Sequence, residues 1–418
     1  MRAALMAARL ALLVAGFLLA TFAEAHAAGA MSYIDRRVTA IPAAKLLTAD
    51  PNALIDVRRA AAAHTYGLYR RPLFLIWALS QIFAFYYLWN SGNAARLRDA
   101  IKRRVSSKFF KRFLFGAALT LYAALAALPA SLAQFRVALV FDQLSQPFAA
   151  WLRDGAIRAL LTALAVGFVV ACVLTLVERT RQWWIYSIVG MFAAALLFVQ
   201  VVPLTLAPLY NAGSPRALSG PLLAPLQALA RAAGVPGTPV AVVNASRRTL
   251  VADATVSGRR VVVTDTLVRD ATPGEVRYAV TREFIEVQRG AELRRTLLAT
   301  FFFILCITLG VLVSDRIGFR RDDDPLARLA LVFALAGATA LFVYPLYNGY
   351  QRATERKEDA AALQLTHDLA SAIRYFVRYS EERFLPVCPR AVTRYYFYDF
   401  DPLGTRVTEL TGRPDPCP

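Results

Sequence analysis

Acidic and basic residues that could support acid–base or metal chemistry occur in two short stretches of the sequence. The first stretch contains Arg282, Glu283 and Glu286, and the second contains Glu355 and Asp359. A carboxylate beside a metal ion can take a proton from a bound water, and several carboxylates together can bind a cation. These five residues are the candidates for a functional site, provided that the fold brings the two stretches together.

The first stretch has the frame of a zinc-hydrolase helix in which both metal ligands are replaced. Such a helix reads His-Glu-x-x-His, with two imidazoles one turn apart and a Glu that activates water. Here Glu283 fills the base position, whereas Arg282 and Glu286 fill the ligand positions. Arginine has no lone pair to donate and stays cationic. We therefore expect Arg282 to substitute for the charge of the metal, pairing with Glu286 and reaching Glu355.

Two other interpretations of these residues stay open. Arg282 and Glu286 also fit an ordinary ion pair on one helix, and the charged run 355–359 fits a solvated helix face. Alternatively, Glu283, Glu286 and Glu355 could form a three-carboxylate site for a hard cation, although the positive charge of Arg282 opposes it.

The composition predicts that these residues belong to an integral membrane protein. The chain has 418 residues, of which 57% are hydrophobic, and its mean hydropathy is +0.44. About 20 apolar residues are needed to cross a bilayer. The stretches that approach this length are 3–25, 72–90, 113–134, 157–177, 183–208, 296–314 and 328–348.

Residues 1–27 differ from the other apolar stretches. Arg2 and Arg9 precede a short apolar core, and residues 25–27 resemble a small-residue cleavage site. This pattern is typical of a secretory signal peptide, and a retained first span is the alternative. Both interpretations place residue 30 outside the cytoplasm of a bacterial cell.

The net charge of +19 is explained better by the bilayer than by nucleic acid. The densest basic cluster, 96–113, lies beside a predicted span and has no aromatic-rich nucleic-acid motif around it. Basic residues beside spans orient helices and contact anionic lipid. We therefore expect the lipid bilayer as a partner and no nucleic acid.

The distribution of basic residues also predicts the topology. With 96–112 in the cytoplasm, the spans alternate so that 209–295 and 349–418 lie on the same side, outside the cytoplasm. Both segments can then contribute to one site, on the periplasmic side of the inner membrane. Cys388 and Cys417 could form a disulfide there.

Short elements are predicted between the fourth and fifth of the later spans. Residues 217–235 form an amphipathic helix, 239–246 and 259–267 form strands, and 251–258 forms a third, edge-like strand. A helix follows, with Thr272 as its N-cap. The predicted fold is therefore mostly α: a multi-pass bundle of six or seven spans with a small α+β domain split around the last two spans. The predicted divisions are 28–208 and 209–418.

Several motifs, in order along the chain, together resemble the type I CAAX prenyl endopeptidases, a family of integral-membrane zinc metallopeptidases of the gluzincin kind. The motifs are WNSGNAARLRDAIKRR (89–104), FRVALVFDQLSQPFAAWLRD (135–154), PLYNAGSP, ADATVSG, VVVTDTL, the helix at 273–290, ATERKEDAAAL (353–363) and YDFDPLGTRV (398–407). The resemblance implies a membrane endopeptidase fold that encloses a chamber.

The resemblance also implies roles for individual residues. Glu283 matches the general base, Glu355 the third zinc ligand and Asp359 the carboxylate that orients a ligand. Residues Asp253, Ala254 and Thr255 match the edge strand that holds an extended peptide. Arg406 matches an arginine that stabilises the oxyanion.

Other positions depart from the family pattern. Asp401 or Phe400 stands where the family has a closing His, and neither ligand position carries His. Although the family uses zinc, we therefore expect no metal cofactor here. Eukaryotic members, whose catalytic part faces the cytosol, would imply the opposite orientation.

Three functional classes follow from these observations. The first is an inactive pseudopeptidase that binds a peptide or membrane-protein client along the strand at 253–258. The second is an active zinc metalloendopeptidase with an atypical metal site. The third is a membrane assembly protein without a peptide ligand.

Overall fold

The computed structural model describes residues 31–205, 215–317 and 325–417, so the predicted signal peptide or first span lies outside the described residues. Helices make up most of this part of the chain. In chain order they are α1 Met31–Thr39, α2 Ala43–Thr48, α3 Pro51–Leu54, α4 Val57–Asn90, α5 Asn93–Arg104, α6 Lys108–Val140, α7 Phe148–Arg179, α8 Trp183–Thr205, α9 Leu223–Ala232, α10 Asp265–Asp270, α11 Pro273–Arg289, α12 Ala291–Ile317, α13 Pro325–Thr366, α14 Leu369–Glu382, α15 Ala391–Phe397 and α16 Leu403–Thr411.

Helices α4, α6, α7, α12 and α13 are long and apolar enough to cross a membrane, and α8 adds a shorter apolar stretch over Trp183–Leu197. Many of their large apolar side chains are exposed, including Phe168, Leu197 and Phe342. Such side chains are stable against lipid but not against water. The prediction of a mostly helical, multi-pass membrane protein with a small sheet is therefore confirmed.

The small sheet has four strands, β1 Arg216–Ala217, β2 Val240–Val243, β3 Ala254–Ser257 and β4 Arg260–Thr264, in the order β1-β2-β4-β3. Strand β2 runs parallel to β4, whereas β1 and β3 pair antiparallel with their neighbours. The predicted strands at 239–246 and 259–267 are thus confirmed. Strand β3 lies at the edge of the sheet, as the pattern of residues 251–258 predicts.

The core outside the membrane contains residues from both ends of the chain. Ile34, Val38 and Leu54 are fully buried in one apolar cluster with Val263 of the sheet and Phe376 of α14. Arg59 and Arg37 attach the same N-terminal segment to Glu381 on α14. Residues 34–55 therefore pack on the same side of the membrane helices as the sheet. The predicted division at residue 208 stays a prediction.

Helix α13 extends well beyond its apolar part and carries charged residues away from the membrane. Its predicted span ends at residue 348, and Glu355 lies two turns further along the helix. The charged end packs against α11. This packing brings the two candidate stretches together.

Candidate active site

Helix α11 is held in a fixed position at both of its ends. Thr272 and Glu275 form a capping box, in which the Thr272 side chain accepts from the Glu275 amide and the Glu275 carboxylate accepts from the Thr272 amide. The other carboxylate oxygen of Glu275 accepts from Arg378 Nε of α14 at 2.8 Å, with both side chains fully buried. Gly290 ends the helix with φ +58°. The helix therefore presents Arg282, Glu283 and Glu286 to the interior in a defined orientation.

Arg282 lies between the two acidic residues of α13. Its Nε donates to Asp359 Oδ1 at 2.5 Å, and its Nη2 donates to Glu355 Oε2. The side chain of Arg282 is only 7% exposed. A guanidinium with two carboxylate partners in a buried position is strongly stabilised as a cation. The expectation that Arg282 reaches Glu355 is confirmed.

The expected pairing of Arg282 with Glu286 is wrong. Glu286 Oε2 instead pairs with Arg295 at the start of α12. Arg282 already has two carboxylate partners on α13. It therefore contacts α13 rather than forming an ion pair with Glu286 on its own helix. Arg295 directly precedes the predicted span at 296–314 and is not among the residues that the sequence singles out.

Arg406 of α16 binds the same two carboxylates from the other side. Its Nη2 lies 3.3 Å from Glu355 Oε2, and its Nη1 lies 3.5 Å from Asp359 Oδ2. The guanidinium also stacks over the Phe376 ring at 4.5 Å. We name Arg282, Arg295, Arg406, Glu286, Glu355 and Asp359 the arginine–carboxylate cluster. Its three positive and three negative groups balance.

Asp401 is directed away from this cluster. Its carboxylate accepts from Arg356 Nη2 at 3.1 Å and from Arg394 Nη2 at 2.6 Å, and it is buried. Only its backbone carbonyl accepts from Arg406 Nε, at 3.0 Å. Phe400, the alternative for the closing-His position, packs against the Tyr379 ring at 5.5 Å. Neither side chain points a polar group into the cluster.

The protonation of the acidic residues follows from their surroundings. Burial, reinforced by the charge of Glu286, raises the pKa of Glu283 well above its usual range. Burial also raises the pKa of Glu358, to about 8, and the nearby Glu355 and Glu286 add to the effect. Burial alone would raise the pKa of Glu355, but Arg282 and Arg406 outweigh it and lower that pKa. The base position is therefore occupied by a carboxyl group whose ionised form is disfavoured by its surroundings.

The side chains at this site do not fit a zinc ion. Zinc requires three or four N, O or S donors in a tetrahedral arrangement. Glu355, Asp359 and Glu286 all direct oxygens at guanidinium groups. A cation added here would be repelled by Arg282, whose charge already satisfies the carboxylates that a metal would need.

Strand β3 offers backbone groups for a peptide next to this cluster. The Asp253 carbonyl accepts from the Thr264 amide at 2.9 Å, on the β4 side. Backbone groups alternate in direction along a strand. The Ala254 carbonyl and both backbone groups of Val256 therefore face the open edge, where no strand pairs with β3 in the part of the chain that the structure describes. The Ala254 amide donates to Asp253 Oδ1 at 3.0 Å. Helix α11 packs against β3.

Asp253 and Thr255 contribute to this edge through their side chains. Asp253 Oδ2 pairs with Arg383 Nη2 at 2.6 Å, and Thr255 is exposed. The structure thus brings Glu283, Glu355 and the edge strand into one region. Sequence reasoning missed Arg295, Arg383 and Glu358, since charged residues near spans and on helical faces were attributed to topology or solvation.

Two family models match the chain in succession. A model described as CAAX prenyl protease N-terminal, five membrane helices, matches residues 48–212. The model of peptidase family M48 matches residues 220–412. Together these models span both the membrane helices and the region that contains the arginine–carboxylate cluster.

Similarity to individual proteins extends over the same region. An uncharacterized metalloprotease of Bacillus subtilis (strain 168), YhfN, is 26% identical over 357 residues, which are 81% of this chain and 82% of that protein. The crystal structure of S. mikatae Ste24p superposes with a TM-score of 0.72 at 20% sequence identity, covering 96% of this chain and 98% of the other. At that identity the superposition shows a shared fold.

Proposed function

The chain belongs to the CAAX prenyl protease-like family of membrane metallopeptidases, and from this premise we propose that it binds an extended peptide without hydrolysing it. The observation that carries the proposal is the position of Arg282, whose guanidinium donates to both Glu355 and Asp359. A site organised in this way has a positive charge where the family uses zinc, but that charge cannot activate water.

The state of Glu283 supports the absence of hydrolysis. A general base must be ionised and must have water of lowered pKa within reach. Burial raises the pKa of Glu283 and disfavours its ionised form, and water that is not bound to a metal has a pKa of about 15.7. Peptide-bond hydrolysis would need both obstacles to be removed.

The open edge of β3 supports peptide binding. An extended segment can add to an exposed sheet edge through main-chain hydrogen bonds, whatever its side chains. The Ala254 carbonyl and both backbone groups of Val256 face this edge next to the cluster. The client would therefore lie between β3 and α11, in the position of a substrate.

The arrangement of the chain supports a site outside the cytoplasm. Residues 34–55 share a core with the sheet and α14, and the signal-like stretch 1–27 precedes them. The disulfide between Cys388 and Cys417 on the same side is stable in an oxidising compartment. The site would then face the periplasm from the inner membrane.

A photo-crosslinking experiment tests the proposal. A photoreactive amino acid replaces Thr255 on β3 in the full-length protein, and in a control it replaces Arg216 on β1, the opposite edge of the same sheet. We expect a labelled, unfolded casein peptide to crosslink at position 255 and not at 216, and to stay intact.

The alternative of an active enzyme predicts a different result. Cleavage of a quenched casein peptide that is abolished both by a chelator and by Glu283→Gln would contradict the proposal. Equal crosslinking at both positions would contradict binding along β3.

A further inference from the structure

A second candidate site lies apart from the arginine–carboxylate cluster, at the boundary of the membrane bundle. A cavity of about 80 Å³ opens between α4, the end of the apolar part of α13, and the segments after α14 and α15. Side chains that line it include Tyr66, Arg70, Arg71, Phe74, Tyr344 and Phe397.

Aromatic rings give the cavity fixed walls. Phe74 stacks on Tyr344 with ring centres 5.6 Å apart and meets the edge of Phe397 at 5.9 Å. On the opposite wall, Tyr66 and Phe384 are 5.5 Å apart. These contacts join α4, α13 and the C-terminal segment, so the packing of these three parts of the chain forms the cavity.

Two neighbouring arginines supply positive charge, and Asp399 interacts electrostatically with Arg70 without forming a salt bridge to it. Within the described ranges, neither Arg70 nor Arg71 forms an ion pair with a carboxylate, although most buried arginines near the cluster do. Arg70 lies 5.8 Å from the centre of the Tyr66 ring. The Arg71 guanidinium folds back over Gly67, where a Cβ would come within 2.8 Å of Nη2. The absence of a side chain at Gly67 leaves room for this guanidinium.

The position of the cavity relative to the membrane indicates which kind of anion it binds. Arg71 directly precedes the apolar run that begins at residue 72, and Tyr344 lies near the end of the apolar part of α13. Phosphate groups of lipids lie at this level, and aromatic rings and arginines are enriched there. Guanidinium groups bind phosphate through charge-assisted, paired hydrogen bonds.

We propose that this cavity binds the head-group phosphate of an anionic phospholipid. Arg70 and Arg71 donate to the phosphate oxygens, and the Phe74 and Tyr344 rings contact the glycerol and the first acyl carbons. The proposal is independent of peptide binding, because the cavity shares none of the cluster's residues.

Lipid retention by the full-length protein tests the proposal. The protein is purified from nanodiscs of phosphatidylcholine with a minor fraction of phosphatidylglycerol, and native mass spectrometry counts the lipids that stay bound. We expect the wild type to retain phosphatidylglycerol in preference to phosphatidylcholine. Each of Arg70→Gln and Arg71→Gln should weaken that binding about tenfold, the effect of losing one charged hydrogen bond.

A matched control separates a site from general charge attraction. Arg58→Gln removes the same charge from an exposed position on α4 outside the cavity and should leave lipid retention unchanged. Equal loss in Arg58→Gln, or full retention in the Arg70→Gln, Arg71→Gln double variant, would overturn the proposal. Unchanged thermal unfolding of each variant in phosphatidylcholine alone shows that the fold is intact.

A soluble competitor distinguishes a lipid from a free phosphate compound. Glycerol 1-phosphate carries the same anion without acyl chains. If it displaces phosphatidylglycerol at comparable concentration, the cavity is a site for a water-soluble phosphate ester and the lipid assignment is wrong. We expect no displacement, because the aromatic walls would lose their apolar contacts.

Discussion

At the scale of single residues, one guanidinium joins the two helices that carry the candidate site. Arg282 connects α11 to α13 through Asp359 at 2.5 Å and through Glu355. A metal can be removed by a chelator and replaced, whereas an arginine is a permanent part of the chain. The contact therefore stabilises the fold at all metal concentrations but provides no Lewis acid.

Removing this guanidinium should destabilise the protein strongly. Arg282→Gln leaves Asp359 and Glu355 with fewer partners in a buried position, which typically costs about 3–5 kcal/mol. Arg277→Gln on the same helix is the matched control, because Arg277 is 44% exposed and lies 4.0 Å from Asp368. It should cost at most about 1 kcal/mol. Denaturant unfolding in detergent measures both, and similar losses would contradict a stabilising role for Arg282.

A second residue-scale prediction concerns Glu358. Its side chain is buried, and none of the described residues donates a hydrogen bond to Oε1. Burial raises its pKa to about 8 from an ordinary 4.5, so the folded state holds a proton that the unfolded state releases. The resulting stability is complete below pH 4.5 and is lost as the pH rises through about 8.

The free energy of unfolding should therefore depend on pH less steeply in Glu358→Gln than in the wild type. Between pH 4.5 and 7 the two curves should diverge by about 3 kcal/mol, since one pKa unit corresponds to about 1.4 kcal/mol. Denaturant unfolding at a series of pH values measures this divergence. Parallel curves would show that Glu358 is ionised in the folded protein.

At the scale of elements, the edge position of β3 determines which backbone groups are available. The Asp253 carbonyl points towards β4 and accepts from the Thr264 amide. Backbone groups of Ala254 and Val256 point to the opposite, open side of β3. Helix α11 fixes the distance between that edge and the cluster, because its capping box and the Glu275–Arg378 pair hold its first turn.

Proline at position 256 should abolish peptide binding and preserve the sheet. Val256→Pro removes an amide that faces the open edge, and proline is tolerated in edge strands when its nitrogen faces away from the ladder. Thr255→Ala, which keeps every backbone group, should bind the casein peptide normally. Fluorescence anisotropy of the labelled peptide compares the two. Normal binding by the Val256→Pro variant would exclude main-chain recognition at this edge.

At the scale of the whole molecule, the N-terminal segment, the sheet and the C-terminal helices all lie at one end of the membrane helices. This follows from the shared core of residues 34–55, 218–287 and 361–407. A single experiment that shows on which side of the membrane one of these segments lies therefore gives the side of the whole site.

A reporter fused after residue 418 should therefore reveal the side of the site. In a bacterial host, alkaline phosphatase at this position should be active and green fluorescent protein should be dark, because the C-terminal segment is expected outside the cytoplasm. Enzyme activity and fluorescence of the two fusions provide the measurement. The reverse pattern would place the cluster in the cytoplasm.

The sequence predicts the features that depend on local patterns. Hydropathy indicates the spans, and β-branched runs indicate β2 and β4. The order of the motifs predicts that Arg282 lies close to Glu355. Contacts between distant elements are not predictable in this way. Glu286 pairs with Arg295, and Asp401 pairs with Arg356 and Arg394. These partners depend on how the helices pack, because several arginines are available to each carboxylate.

The contact between Arg37 and Glu381 joins residues 344 positions apart, which has a consequence for the order of assembly. At about 5–20 residues per second, the ribosome reaches the second partner about 20 to 70 s after the first. During that interval Ile34, Val38 and Leu54 have no completed core to enter. Residues 34–55 are thus synthesised early but complete their core late, and their apolar side chains need protection from aggregation until synthesis is finished.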